Sequence, residues 1–178
     1  MRRAVFLDRD GVLTRSIVRE GRPYAPTSLE EFELLPRVTE EVGRLQRAGF
    51  CLVVVTNQPD LSDGKLARTV LDEMHERLRK VLRLDDIKVC PHQDAHGCPC
   101  RKPRPGMLLE AAREQSIDLP RSFMVGDRWR DVSAGKAAGC KTIFIDCGYA
   151  ETLLDRPDFV VASLTEASEI ILRHRLDV

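Results

Sequence analysis

Six short, nearly unbroken apolar runs limit this chain to few architectures: "AVFLD" (4–8), "FCLVVVT" (50–56), "IKVC" (87–90), "SFMVGD" (122–127), "KTIFID" (141–146) and "DFVVA" (158–162). A strand facing water on one side alternates apolar with polar residues. Continuous runs instead belong to strands buried on both faces, as in a parallel sheet. Parallel neighbours need a crossover between them, and amphipathic segments fall where crossovers are required. Residues 37–48 open after Pro36 and stop at Gly49. Leu66, Val70, Leu71, Met74, Leu78, Val81 and Leu82 recur as one face of a longer helix, and 106–115, 129–138 and 164–175 complete the set. The expectation is α/β: an open parallel sheet with helices on both faces, in one domain spanning 1–178. At 178 residues and 43% hydrophobic content the chain has enough apolar surface for such a core. Gly21 to Ser28, rich in Pro and Gly, is expected to be a surface loop.

Lys plus Arg and Asp plus Glu each number 28, so no global charge draws the chain toward nucleic acid or an anionic membrane, and any anion site must be local. The first apolar run is interrupted by Asp8, Arg9 and Asp10 before it reaches the length of an export signal, and no later stretch approaches a membrane span. The expected location is the cytoplasm, where thiols stay reduced and free to hold metal.

In an open α/β sheet, ligands gather outside the carboxyl ends of the strands. There this sequence is polar. The first run ends in Asp8 and Asp10, two apart, so continued extended geometry aims both carboxylates to one side, and Gly11 then permits a sharp turn. One such carboxylate can serve as nucleophile while the other handles protons. The second run ends in Thr56 and Asn57, a hydroxyl and an amide suited to phosphate oxygens. Arg101 and Lys102 supply fixed positive charge. The fourth run ends in Asp127, with Asp131 four residues on, on the first turn of a helix. Taken singly, these are an acidic turn, a helix cap and a solvated basic patch. Their order on successive strand ends makes them a set.

The stretch "CPHQDAHGCPCRKP" (90–103) adds Cys90, His92, Cys98 and Cys100. Three thiolates and one imidazole complete a tetrahedral zinc site, and a site filled by protein on all four sides is structural. Zinc would order a loop with almost no apolar residues of its own and so place Arg101 and Lys102. His96 is the expected bystander. A disulfide or redox role would require an activated thiol pair, and no C-x-x-C is present. Cys51, Cys140 and Cys147 are expected to pack as small hydrophobes, Trp129 to pack against its helix, and His75 and His174 to lie at the surface.

Strand ends carrying Asp-x-Asp, Thr, Lys and Asp-x-x-x-Asp in that order resemble the haloacid dehalogenase (HAD) superfamily of phosphotransferases, over roughly residues 5–146. The resemblance implies an HAD-like, Rossmann-like sheet and a Mg²⁺-dependent phosphatase. In it, Asp8 would form an aspartyl phosphate, and Asp10 would protonate the leaving oxygen and then activate water. It further implies Mg²⁺ on the Asp8 carboxylate, the Asp10 carbonyl and Asp127, phosphoryl contacts from Thr56 and Lys102, and Asp131 in support. "CRKPRPGM" and "GDRWRDVSAGKAAG" are similar to the zinc-containing subgroup, whose members act on a heptose bisphosphate or on histidinol phosphate. By that likeness Arg101 would contact substrate and Arg128 would sit near the phosphate. The five-residue spacer between His92 and Cys98 lies closer to the histidinol phosphate branch, and Asp60 and Asp63 add negative charge after Asn57. No insertion is long enough for a large cap domain. The expected partner is a small phosphorylated metabolite met by a monomer, and the non-enzymatic alternative is a zinc-binding interaction module.

Overall fold

The structure, a computed structural model, describes residues 1–174. Each of the six apolar runs forms a strand: β1 (Ala4–Leu7), β4 (Cys51–Asn57), β5 (Asp86–Cys90), β6 (Phe123–Gly126), β7 (Lys141–Ile145) and β8 (Phe159–Val161). They pair in parallel in the order β5-β4-β1-β6-β7-β8. Side chains that alternate along the central strands feed two separate cores. Val5, Leu7, Leu52, Val54 and Val125 pack on one face with Val42 and Leu45 of α1 (Val38–Arg47) and Ile171 of α5 (Leu164–Arg173). Ala4, Phe6, Val53, Val55 and Met124 pack on the other with Met107 and Leu108 of α3 (Gly106–Gln115) and Ala134 of α4 (Trp129–Ala138). Burial on both faces is the physical reason the runs lack polar alternation. Among the described residues no helix is long and apolar enough to cross a membrane.

Helix α2 (Arg68–Leu82) carries the expected apolar face with two differences. Leu66 is buried but precedes the helix, and Val81 points outward, 46% exposed. The expected helix 164–175 ends at Arg173, and position 175 lies outside the described residues.

The segment expected as a loop between Gly21 and Ser28 begins instead with half of an antiparallel hairpin, β2 (Ile17–Arg19) with β3 (Arg22–Tyr24). Three-residue strands joined through Glu20 and Gly21, both at positive φ, are too short to give a periodic signal. His75 is not at the surface: it is 4% exposed on the inner face of α2, beside Met74. His174 is half-buried, its ring edge-on to Phe123 and Phe159. Cys51 and Cys140 are buried as expected, but Cys147 is exposed because it follows β7 in a loop beyond the sheet. No inserted cap domain occurs among the described residues; between β1 and α1 the hairpin is the one regular element, and between β4 and β5 there are one 3₁₀ turn and α2.

Candidate active site

The ends of β1, β4 and β6 converge on one cleft lined by Asp8, Asp10, Thr56, Asn57, Lys102, Asp127, Arg128, Arg130 and Asp131, with Ser16 and Pro23 to Ala25 of the hairpin region at its rim. Asp8 follows β1 directly, and its backbone N–H donates to the Val125 carbonyl of β6 (3.0 Å), so the sheet itself places it. Asp8 Oδ1 accepts from the Arg9 N–H and from the Lys102 ammonium, both at 2.9 Å. Both bonds fall on one oxygen.

Asp127 and Asp131 close on Asp8 from β6 and α4, and one carboxylate oxygen from each of the three lies within 4.8 Å of the others. The approach is close enough to dictate glycine twice. A Cβ on Gly11, at φ +89°, would come 1.8 Å from Asp127 Oδ2, and one on Gly126 would come 2.1 Å from the Asp131 Cβ. Burial foremost, then the Asp131 charge, raises the Asp8 pKa to about 6 against the opposing pull of Lys102. Asp127 is raised well above the ordinary range by burial and by its two acidic neighbours, against a smaller opposing pull from the facing Tyr149 hydroxyl, and neither of its carboxylate oxygens has a hydrogen-bond donor within 3.5 Å. Three crowded carboxylates with two orphaned buried oxygens fit a hard divalent cation such as Mg²⁺. The cleft lining as a whole carries four carboxylates against three cations, so a dianionic phosphoryl group needs that further positive charge.

Lys102 is 2% exposed, and its three N–H groups are all engaged, on Asp8 Oδ1, the Val55 carbonyl (2.7 Å) and Asp131 Oδ1 (2.6 Å). Those two carboxylates raise its pKa although burial opposes the charge. Its place is set from behind: the Asn57 amide donates to the Lys102 carbonyl and accepts from the Lys102 N–H, both at 3.1 Å. Asn57 therefore holds the lysine, with its amide already committed.

Asp8 and Asp10 reach the cleft by a turn rather than by strand alternation. β1 stops at Leu7, and the N–H groups of Leu13 and Thr14 fold back onto the Arg9 carbonyl. The Asp10 carboxylate stands apart from the three-carboxylate cluster. Thr14 Oγ1 donates to its Oδ1, and Gln58 Nε2 donates to its Oδ2 and also to Thr56 Oγ1. Because Thr56 accepts from Gln58, its own hydroxyl proton is free to point elsewhere.

Arg128 lines the cleft with its guanidinium forked onto Glu151. Arg101 lies behind the lining, its Nε on Asp94 (2.8 Å) and its Nη1 buried without a partner. Arg130 lines the cleft in its stead, forked onto the same Asp94 (2.9 Å). Trp129 is half-buried, with the Arg130 guanidinium 4.7 Å from its ring centroid. Asp60 and Asp63 lie in and after the 3₁₀ turn Pro59–Leu61, outside the lining, and Asp63 pairs with Lys65. Thr14 and His75 lie outside every motif, and Arg130 and Gln58 lie within matched stretches without being singled out.

On the adjoining loop the Sγ atoms of Cys90, Cys98 and Cys100 lie 3.1 to 3.5 Å apart, and His92 Nδ1 lies 3.7 Å from Cys90 and 3.5 Å from Cys100. Tetrahedral zinc with bonds of about 2.3 Å spaces its thiolates by ~3.8 Å, so the four donors need to open only slightly. His96 is turned away, its Nδ1 accepting from the Gln93 N–H (2.9 Å). Three further bonds fasten the loop: one from Arg104 to the Cys98 carbonyl (2.7 Å), and two from the Arg130 guanidinium of α4 to Asp94.

A family profile described as HAD-hydrolase-like matches residues 99–167. Among curated proteins, the D-glycero-beta-D-manno-heptose-1,7-bisphosphate 7-phosphatase of Pseudomonas aeruginosa is 34% identical over 88% of this chain and 88% of its own length. The Escherichia coli enzyme of the same name is 33% identical over 97% and 95%. Among solved structures, the D,D-heptose 1,7-bisphosphate phosphatase of B. bronchiseptica complexed with magnesium and phosphate superposes with a TM-score of 0.84 at 31% identity, covering 96% of this chain and 98% of that one.

Proposed function

The chain belongs to the HAD-like hydrolase family, and from that premise we propose that it is a Mg²⁺-dependent phosphatase that removes the C7 phosphate of D-glycero-D-manno-heptose 1,7-bisphosphate through a phosphorylated Asp8. One observation carries the reaction type. Asp8, buried at the strand end, holds Lys102 on one oxygen and meets Asp127, whose buried oxygens have no donor within 3.5 Å and only the Tyr149 hydroxyl facing them.

Since the donors on Asp8 converge on Oδ1, Oδ2 is the oxygen left to attack phosphorus. As the new P–O bond forms, the ester bond breaks and Asp10 delivers a proton to the departing sugar oxygen. Asp10 then takes a proton from water, which attacks the same phosphorus and returns Asp8 as a carboxylate. Lys102 keeps a fixed positive charge against the attacking carboxylate throughout. The free Thr56 hydroxyl donates to a phosphoryl oxygen, with Asn57 holding Lys102 and Arg128 and Arg130 at the rim of the phosphate site. Mg²⁺, held by Asp8, the Asp10 carbonyl and Asp127 with Asp131 in support, would neutralise the charge between carboxylate and phosphoryl group. Cys90, His92, Cys98 and Cys100 would hold structural Zn²⁺. The working unit is a cytoplasmic monomer, one domain over 1–178, acting on a small phosphorylated metabolite; sedimentation in solution checks its mass.

Support for the heptose comes from the relatives named above, and the short His92–Cys98 spacer favours histidinol phosphate as the competing substrate. A phosphate-release screen compares both anomers of heptose 1,7-bisphosphate with histidinol phosphate, with and without Mg²⁺. The expected result is a Mg²⁺-dependent preference for one heptose anomer above tenfold, about 1.4 kcal/mol of transition-state discrimination. An equal preference for histidinol phosphate overturns the substrate, and no Mg²⁺-dependent release at all leaves the zinc-binding interaction module.

A further inference from the structure

Between the two aspartates sits an arginine with no solvent exposure, the largest side chain so fully enclosed among the described residues. Arg9 Nε donates to Asp10 Oδ1 and Nη2 to Asp10 Oδ2, each at 2.9 Å, a two-pronged grip that fixes the plane of the carboxylate. Thr14 and Gln58 add one donor to each oxygen, so the ionised Asp10 carboxylate is held on both sides at once, and one of these two neutral donors must turn away for Asp10 to take up and pass on a proton while the Arg9 fork stays.

The far end of the guanidinium is also placed. Nη1 meets His75 Nε2 at 3.2 Å and Met74 Sδ at 3.9 Å, and the Phe32 ring centroid lies 5.4 Å from the guanidinium carbon. A guanidinium can only donate, so His75 Nε2 must accept and the ring must be unprotonated. Burial, and then the charges of Arg9 and Arg79, lower the His75 pKa to about 3, in keeping with that requirement. Leu71, Met74 and Leu78 enclose the same face of α2, so the acceptor is seated by a helix core and not by a loop.

We infer that Arg9, backed by the neutral imidazole of His75, is a positioning residue for Asp10 that ties the proton-transferring carboxylate to helix α2. The inference rests on the reading of Asp10 as acid and then base. Neutralising Asp10 alone would need only one charged contact. A fork on one side and a dedicated acceptor on the other specify orientation.

Leaving-group dependence tests it, because a sugar alkoxide needs a proton to depart and p-nitrophenolate does not. The variants are Arg9→Lys, His75→Leu, His75→Gln and Asp10→Asn, each taken forward at a temperature where circular dichroism and zinc content match the parent. Arg9→Lys and His75→Leu are expected to lower kcat on the preferred sugar phosphate by ~10²-fold with KM within a few-fold, and to lower phosphoenzyme formation from p-nitrophenyl phosphate much less. Breakdown of the aspartyl phosphate also needs Asp10, so p-nitrophenolate should appear as a burst equal to the enzyme. His75→Gln, whose amide oxygen can accept from Arg9, should stay near the parent. Equal losses on both substrates without a burst, or an unrescued His75→Gln matching His75→Leu, would overturn the inference. If Arg9→Lys does not fold, the two His75 variants decide alone. An Asp10→Asn enzyme with no leaving-group discrimination removes the premise about Asp10 itself, an outcome distinct from failure at Arg9 and His75.

Discussion

The carboxylate cluster and the thiolate cluster are neighbours built on opposite plans. Asp8, Asp127 and Asp131 are buried and delivered by strand ends and a helix start, whereas three of the four zinc-type donors are only half-buried on a loop with little core of its own. Hard oxygen ligands on a rigid frame leave room for substrate and water. Soft ligands on a yielding frame enclose their ion and stiffen the frame. Rigidity is supplied by the fold in one case and by the metal in the other. Lys102 joins them, two residues beyond Cys100 and bonded to Asp8 and Asp131.

That contrast can be broken at three points. Asp8→Asn is expected to have the largest effect, lowering turnover by roughly 10⁴-fold or more, since the proposed nucleophile is lost. Zinc content should not change, and the metal-free variant should unfold no earlier than the parent, because removing one of three crowded carboxylates relieves repulsion. Zinc analysis with urea unfolding in chelator checks both. Cys98→Ser should do the reverse. Zinc is lost, and activity falls by about 10²-fold, the typical consequence of displacing a positioning group by an ångström or so. Activity of Cys98→Ser equal to the parent's would show that Lys102 is placed without the loop.

The smallest effect lies behind the oxygen site. The folded His75 titrates at about 3 and the unfolded one near 6.5, so stability from this group is complete above pH 6.5 and is lost as the pH falls toward 3. Relative to His75→Gln, the parent should lose about 1.4 kcal/mol per pH unit across that window. Urea midpoints at pH 7 and 5.5 read the difference. Parallel behaviour of the two proteins would mean the ring is not held neutral.

What could be read before folding follows from how each feature is encoded. The six strands were legible because double-sided burial writes itself as contiguous apolar residues, and the metal-type sets because their donors sit at strand ends or within eleven consecutive positions. The hairpin was not, since Ile17–Arg19 and Arg22–Tyr24 are stabilised by pairing to each other rather than by any periodic burial. Val81 was misplaced because its neighbours Leu78 and Leu82 carry the buried arc and it falls just outside. His75 was hidden by its residue type, although its spacing from Leu71, Leu78 and Leu82 put it on the apolar face. A polar residue inside such a stripe implies a buried partner, and Arg9, 66 residues upstream, cannot be found from spacing alone. Arg101 and Arg130 show the converse difficulty: which of two arginines reaches the cleft depends on a shared carboxylate, Asp94, and on tertiary geometry.

The paired amide bonds from Asn57 to the Lys102 backbone have one more consequence. A side chain that reads both the N–H and the carbonyl of a single residue acts as a one-rung template: once the thiolate loop has brought the chain within reach, Asn57 at the end of β4 sets the register in which Lys102 docks, so the loop delivers the lysine and the sheet fixes its final height.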